Sequence, residues 1–364
     1  MMDRKEKIIV QDFIMQLEQI DYLEILDIIR PLLIYYIASK TLDTYTLHRD
    51  YKPAKISKVV LPPELNTEYS ELDIKKIAAK KYGEHILKFA KVIIKNFSAE
   101  DLINFYNNIN DLKTKQKKFI IRNLLLGSKF VGEYDLIDNE ITIDDDTAEL
   151  SIYHELFHMA SSTYRDKIKY SGFHQTYYKK GIISLGKGIN EGYTELLSRR
   201  YFGNLTNAYE YEVLVAEKLE QIIGKEKMQS LYLNSNLKGL IDELKQYISE
   251  DEVMKFISNA DFLVIHLNDK KLRLFEKSMI TNCLKNINKF LIICYSKKLL
   301  QQFKDTNSKE YNKLFQELMS FASSLPSSIT IRKHKYEALT QKDILDSIQA
   351  SFEDRDINIT INKR

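Results

Sequence analysis

The chain has 364 residues, 44% of them hydrophobic, which is enough to build substantial cores and to bury a site within them. Its 54 Lys and Arg are interspersed with 51 Asp and Glu for a net charge of +3, so there is no basic arm of the kind that follows a phosphate backbone. Nucleic acid is therefore not an expected partner.

Residues 1–7 lead into a charged amphipathic run through Ile8, Phe13, Leu17 and Ile20, which lacks the uninterrupted apolar region of a secretory signal. The most apolar window, 25–38, contains Asp27, Arg30 and Pro31 and is too short to span a bilayer. A cytoplasmic protein without a membrane partner is the expectation. Apolar residues at helical spacing over 4–29 are interrupted at Arg30-Pro31 and resume over 32–37, as in a kinked or broken helical pair. An irregular connector follows over 41–70, with Pro53, Pro62, Pro63 and a β-like run at 56–61. Helical periodicity returns over 72–97. Ser98-Ala99-Glu100-Asp101 has the form of a helix start, the Ser98 hydroxyl accepting from the Asp101 N–H. A further helix is predicted over 113–126, closed by Gly127.

After Gly127 the pattern changes. Residues 129–143 alternate around the turn dipeptide Asp138-Asn139, which predicts two strands joined by a tight turn. Asp146 then suits the cap of a helix over 147–161, with Glu149 at its third position. That helix carries His154-Glu155-Leu156-Phe157-His158. Four residues apart, His154 and His158 share one helix face, where both imidazoles can reach one metal ion. Glu155, on the adjacent turn, has the placement of a general base rather than a ligand. A catalytic zinc takes a third protein ligand and keeps one position open, and Glu191 is the candidate.

Residues 162–187 lose periodicity, and Gly181, Gly186, Gly188 and Gly192 cluster toward and beyond the end of this region, as in a surface excursion that closes back on the helix. A second helix from Ile189 carries Glu191 and Glu195 on one face. Helices are predicted over 209–223 and 225–232, broken at Gly224, and over 237–248, and 251–321 is almost wholly helical in pattern. The two cysteines, Cys283 and Cys294, lie along that helical stretch rather than facing each other, so no disulfide is expected and a reducing compartment fits. Residues 323–328 read as a linker, followed by a helix over 341–352 and an alternating tail at 357–361.

The pair of motifs, H-E-L-F-H at 154–158 and N-E-G-Y-T-E at 190–195, resembles the gluzincin metallopeptidases, the thermolysin-like class of zinc enzymes. The resemblance runs from His154 to Glu195, with agreement in element order around it. It implies one zinc ion held by His154, His158 and Glu191, with Glu155 polarising water. Glu195 stands where the class carries an acidic residue, more usually Asp, that orients a histidine ligand. Such a partner is also what a ligating imidazole needs in general, because a carboxylate on its second ring nitrogen fixes its tautomer. Asn190 matches the Asn before the Glu ligand. The 32 residues between His158 and Glu191 make a longer insert than in thermolysin. The class also supplies a Tyr or His to stabilise the oxyanion; no motif selects it here, and His174, Tyr177, Tyr178 and Tyr193 are candidates by proximity.

The expected fold is α+β and mainly helical. A zincin-like core over 111–248 combines a small mixed sheet, the H-E-x-x-H helix and the Glu-bearing helix, flanked by helical regions at 1–110 and 249–364. The expected function is zinc-dependent hydrolysis of a peptide or protein substrate. The alternative is a metal-stabilised binding or regulatory module with little or no peptidase activity; the intact Glu155 argues against it, since a structural site needs no base.

Overall fold

The computed structural model describes residues 72–116, 132–144, 148–165, 168–178, 182–203, 208–267, 274–302, 308–331 and 334–353. The readings made for 4–70, for Asp146 and for the tail at 357–361 lie outside the described residues. The architecture is α+β and mainly helical, with twelve helices among the described residues, a mixed three-stranded sheet and two antiparallel sheets. No helix of the described residues is long and apolar enough to cross a membrane.

The stretch of helical periodicity over 72–97 forms two helices, α1 (Ile74–Ala78) and α2 (Gly83–Asn96). Tyr82 between them adopts the left-handed conformation, φ 65°, and interrupts the helical ladder. The bond expected at Ser98 forms, with the Asp101 N–H donating to Oγ at 3.3 Å, although the helix it precedes, α3 (Ile103–Ile109), begins later. The predicted helix over 113–126 is not formed at its start. Lys113–Gln116 is instead a strand, β1. It runs parallel to β3 (Glu140–Ile143), which pairs antiparallel with β2 (Gly132–Asp135) on its other side. The β2–β3 turn is the one read at Asp138-Asn139, with Asn139 at φ 47°. Helix-compatible side chains at 113–116 are overridden here because β3 offers a row of backbone partners that an exposed helical turn would not.

Helix α4 (Ala148–Ala160) carries the histidine motif. Ile152, Tyr153, Leu156, Phe157, Met159 and Ala160 are all buried, so the helix is enclosed on nearly every side, and Phe157 meets Phe89 of α2 edge-on at 5.0 Å. Its C-terminal carbonyls are satisfied locally: Ser161 Oγ donates to Phe157 O, Ser162 Oγ to His158 O, and Asn108 Nδ2 of α3 to Met159 O.

The excursion at 162–187 is a second sheet, a correction to the irregular reading. Strands β4 (Ser162–Arg165), β5 (Ile168–Ser171), β6 (His174–Tyr178) and β7 (Ile182–Leu185) form an antiparallel meander in sequence order. Its strands are short and mostly half-exposed, so they carry little of the apolar alternation by which a strand is recognised. Helix α5 (Lys187–Phe202) follows, then α6 (Glu210–Ile223), α7 (Lys225–Leu233), α8 (Leu237–Leu244) and α9 (Glu250–His266). A Cβ on Gly188 would stand 2.3 Å from Ala260 O of α9, and one on Gly192 would stand 2.2 Å from Glu212 O of α6. These two glycines let neighbouring helix backbones close on α5. Asp261 of α9 receives the Gly186 and Gly188 N–H groups at 2.8 and 2.7 Å, capping α5 from another element. Helices α10 (Leu274–Gln302) and α11 (Ser308–Ser323), a hairpin of β8 (Ser328–Ile331) and β9 (His334–Glu337), and α12 (Gln341–Glu353) complete the order. Cys283 and Cys294 are free thiols on α10. The hairpin follows directly on the stretch read as a linker.

Candidate metal centre

The two motif helices place their functional side chains face to face. His154 Nε2 lies 3.0 Å from His158 Nε2 and 3.3 Å from Glu191 Oε2, and His158 Nε2 lies 3.6 Å from the same oxygen. All three ligand atoms fall within 4.8 Å of one another. Tetrahedral zinc with bonds of ~2.0–2.1 Å requires its donors about 3.3 Å apart, so the trio has the spacing of three ligands that share one ion. His154 is buried, and His158 and Glu191 nearly so.

The surroundings complete the set. His154 Nδ1 donates to Glu195 Oε2 at 3.0 Å, an arrangement that leaves Nε2 as the nitrogen turned toward the shared position. Glu195 is 3% exposed, and its other carboxylate oxygen accepts from Arg199 Nε at 2.8 Å. His158 Nδ1 faces Asn190 Nδ2 at 3.4 Å and Ser171 Oγ at 3.5 Å, while Asn190 Oδ1 accepts from the Phe173 N–H at 3.0 Å. The β5–β6 turn of the unexpected sheet thus backs the second histidine, and Asn190 is oriented by it.

Burial disfavours charge on His154, but its hydrogen bonds to Glu191 and Glu195 and the charge on Glu155 outweigh that and hold its pKa at about 10. Burial raises Glu155, opposed by His154 and His158. Glu191 is buried too, yet His158 and His154 hold its carboxyl well below the usual range. Of the carboxylates at this site, Glu195 is met by Arg199 as well as by His154, while Glu191 pairs with His154 at 3.3 Å. Two imidazoles and a carboxylate are a donor set suited to a divalent ion such as zinc, which would take the place of the proton that His154 otherwise holds.

Glu155 does not share the ligand position. It is 6% exposed, and a Cβ on Gly132 would stand 3.0 Å from its Cγ and Oε1, so the edge strand β2 passes directly over it. Of the four aromatic candidates for oxyanion stabilisation, Tyr193 is fully buried with its hydroxyl donating to Glu220 Oε1 at 2.9 Å, away from the centre. His174 Nε2 is engaged by Ser184 Oγ at 2.7 Å and Thr176 Oγ1 at 3.2 Å, and burial brings its pKa down to about 4. Tyr177 and Tyr178 end strand β6.

Tyr209 was not singled out from the sequence. Its ring lies over the His154 imidazole, centroids 5.6 Å apart and planes 17° off parallel, and its phenol is close enough to Glu191 to feel that residue's charge. The available signal was a misfit. A tyrosine occupies the N-cap of α6, where Ser, Thr, Asp or Asn is usual.

No protein-family model, no curated protein and no solved structure matches the chain.

Proposed function

We propose that the protein is a zinc-dependent metallopeptidase in which His154, His158 and Glu191 hold the ion and Glu155 is the general base. The observation that carries the reading is the convergence of His154, His158 and Glu191 within 4.8 Å, with Glu155 beside them and not among them. A zinc ion in that position would lower the pKa of a bound water and polarise a peptide carbonyl. Glu155 accepts the proton from water and delivers it to the leaving amine; its raised pKa suits both steps.

The substrate backbone is taken by β2, which has β3 on one side and no strand of the described residues on the other, so an extended peptide can continue the sheet over Glu155. Tyr209 supplies a hydroxyl for the oxygen that gains negative charge. Glu195 and Asn190 keep the two imidazoles turned to the metal.

Metal content by mass spectrometry on protein purified without chelator, followed by cleavage of a peptide library, tests the reading. About one zinc per chain is expected, lost in Glu191→Ala. Zinc-dependent cleavage should fall by about 10²–10⁴ in Glu155→Gln, with zinc retained. Protein that takes up no zinc, or Glu155→Gln with undiminished turnover, would refute it.

A further inference from the structure

Arg199 lies one turn beyond Glu195 on α5, and its guanidinium reaches two acceptors at once. Nε donates to Glu195 Oε1 at 2.8 Å and Nη2 donates to the Ala208 carbonyl at 2.5 Å. The other Glu195 oxygen is bound by His154 Nδ1. Ala208 directly precedes Tyr209, whose ring stacks on His154. The contacts therefore close a circuit from His154 through Glu195, Arg199, Ala208 and Tyr209 back to His154.

A Glu–Arg pair four apart on a helix ordinarily lies in solvent and contributes little. This one differs in two respects. Its acid is buried against a candidate ligand, and its arginine, 20% exposed, spends a second donor on the backbone of a different segment. Only a planar fork with several fixed N–H groups can serve both acceptors in one geometry; a lysine ammonium is a single point that can neutralise Glu195 without bridging to Ala208.

We propose that Arg199 is a positioning residue: by joining the carboxylate partner of His154 to the backbone that carries Tyr209, it sets the imidazole of one metal ligand and the aromatic residue above it in a single register. The proposal rests on the reading of His154, His158 and Glu191 as a metal site. It assigns Arg199 no contact with substrate.

The test compares wild type, Arg199→Lys, Arg199→Met and each change combined with Glu195→Gln. Two quantities are read: zinc affinity by chelator competition, and the visible absorption of the cobalt(II)-loaded protein, which reports ligand geometry. Arg199→Met should weaken zinc binding about 10–100-fold and shift the cobalt bands, as loss of an orienting partner does. Arg199→Lys should recover only a minor part of either. In the Glu195→Gln background Arg199→Met should cost little more, because both changes break the same circuit. Wild-type affinity and spectrum in Arg199→Lys would reduce the arginine to charge neutralisation and overturn the proposal, as would fully additive losses. Should Arg199→Met fail to fold, the lysine variant decides alone. A wild-type protein that takes up neither zinc nor cobalt would instead refute the metal reading itself, and the proposal with it.

Discussion

Tyr209 is held at φ 57°, a left-handed backbone that costs a non-glycine residue about 1–2 kcal/mol and persists only where the surroundings impose it. The contact on the ring side is the stack on His154, one of the candidate ligands. The charge on Glu191, then burial, then Glu155 keep the phenol pKa well above its ordinary value, so the hydroxyl remains a donor through neutral pH. Tyr209→Phe keeps the ring and removes the donor. It should leave zinc bound and lower kcat by about 10²–10³ with little change in KM, as expected of a donor used chiefly in the transition state. Steady-state kinetics on a cleaved peptide, with metal content measured in parallel, checks this; turnover equal to wild type would remove Tyr209 from the chemistry.

At the scale of elements, the centre depends on how α5 is seated against α4. Gly188 and Gly192 admit the backbones of α9 and α6, and Asp261 supplies from α9 the cap that α5 lacks in its own sequence, where Gly186 precedes the first turn. A different solution operates at α12. Thr340 and Asp343 form a reciprocal cap: the Asp343 N–H donates to Thr340 Oγ1 at 3.1 Å and the Thr340 N–H donates to Asp343 Oδ2 at 3.0 Å. Lys289 of α10 pairs with the same carboxylate at 2.6 Å. Burial opposes the charge on Asp343, but Lys289 and Thr340 bring its pKa down to about 2. An unfolded Asp titrates near ~3.9, so the folded chain binds this proton less readily. The stabilisation is therefore complete above about pH 5 and is lost as pH falls toward 2. Asp343→Asn should cost about 1–2 kcal/mol at pH 7, a figure already reduced for solvent screening of Lys289, and the deficit should shrink as pH falls toward 2. Denaturant titrations of both proteins at neutral and acid pH measure it. A deficit independent of pH would show that the ionised carboxylate of Asp343 does not carry the effect.

For the whole molecule, the candidate ligands come from two helices separated in the chain by the four-stranded meander, so a bound ion would cross-link elements that the unfolded chain does not hold together. Zinc at a hundred times its Kd should add about 2.7 kcal/mol to stability and raise Tm, and a chelator should reverse the rise. His158→Ala should melt at one temperature with or without zinc; a Tm of wild type that ignores zinc would contradict the site. Local periodicity alone makes the candidate ligand set readable from the sequence. The spacing of His154 and His158, the separate placement of Glu155, the pairing of Glu191 with Glu195 on the next helix and the turn at Asp138-Asn139 are legible because helices and tight turns repeat over a few residues. The mainly helical α+β class follows from the same periodicities. The remaining features depend on partners distant in the chain. Lys113–Gln116 is a strand because β3 lies beside it, and the strands of 162–185 exist because each completes its neighbour's backbone hydrogen bonds rather than because apolar alternation marks them. Tyr209 reaches His154, and Asp261 reaches the start of α5, by contacts across 55 and 75 residues of chain that no local pattern records, since side chains far apart in sequence meet only when the helices bearing them pack.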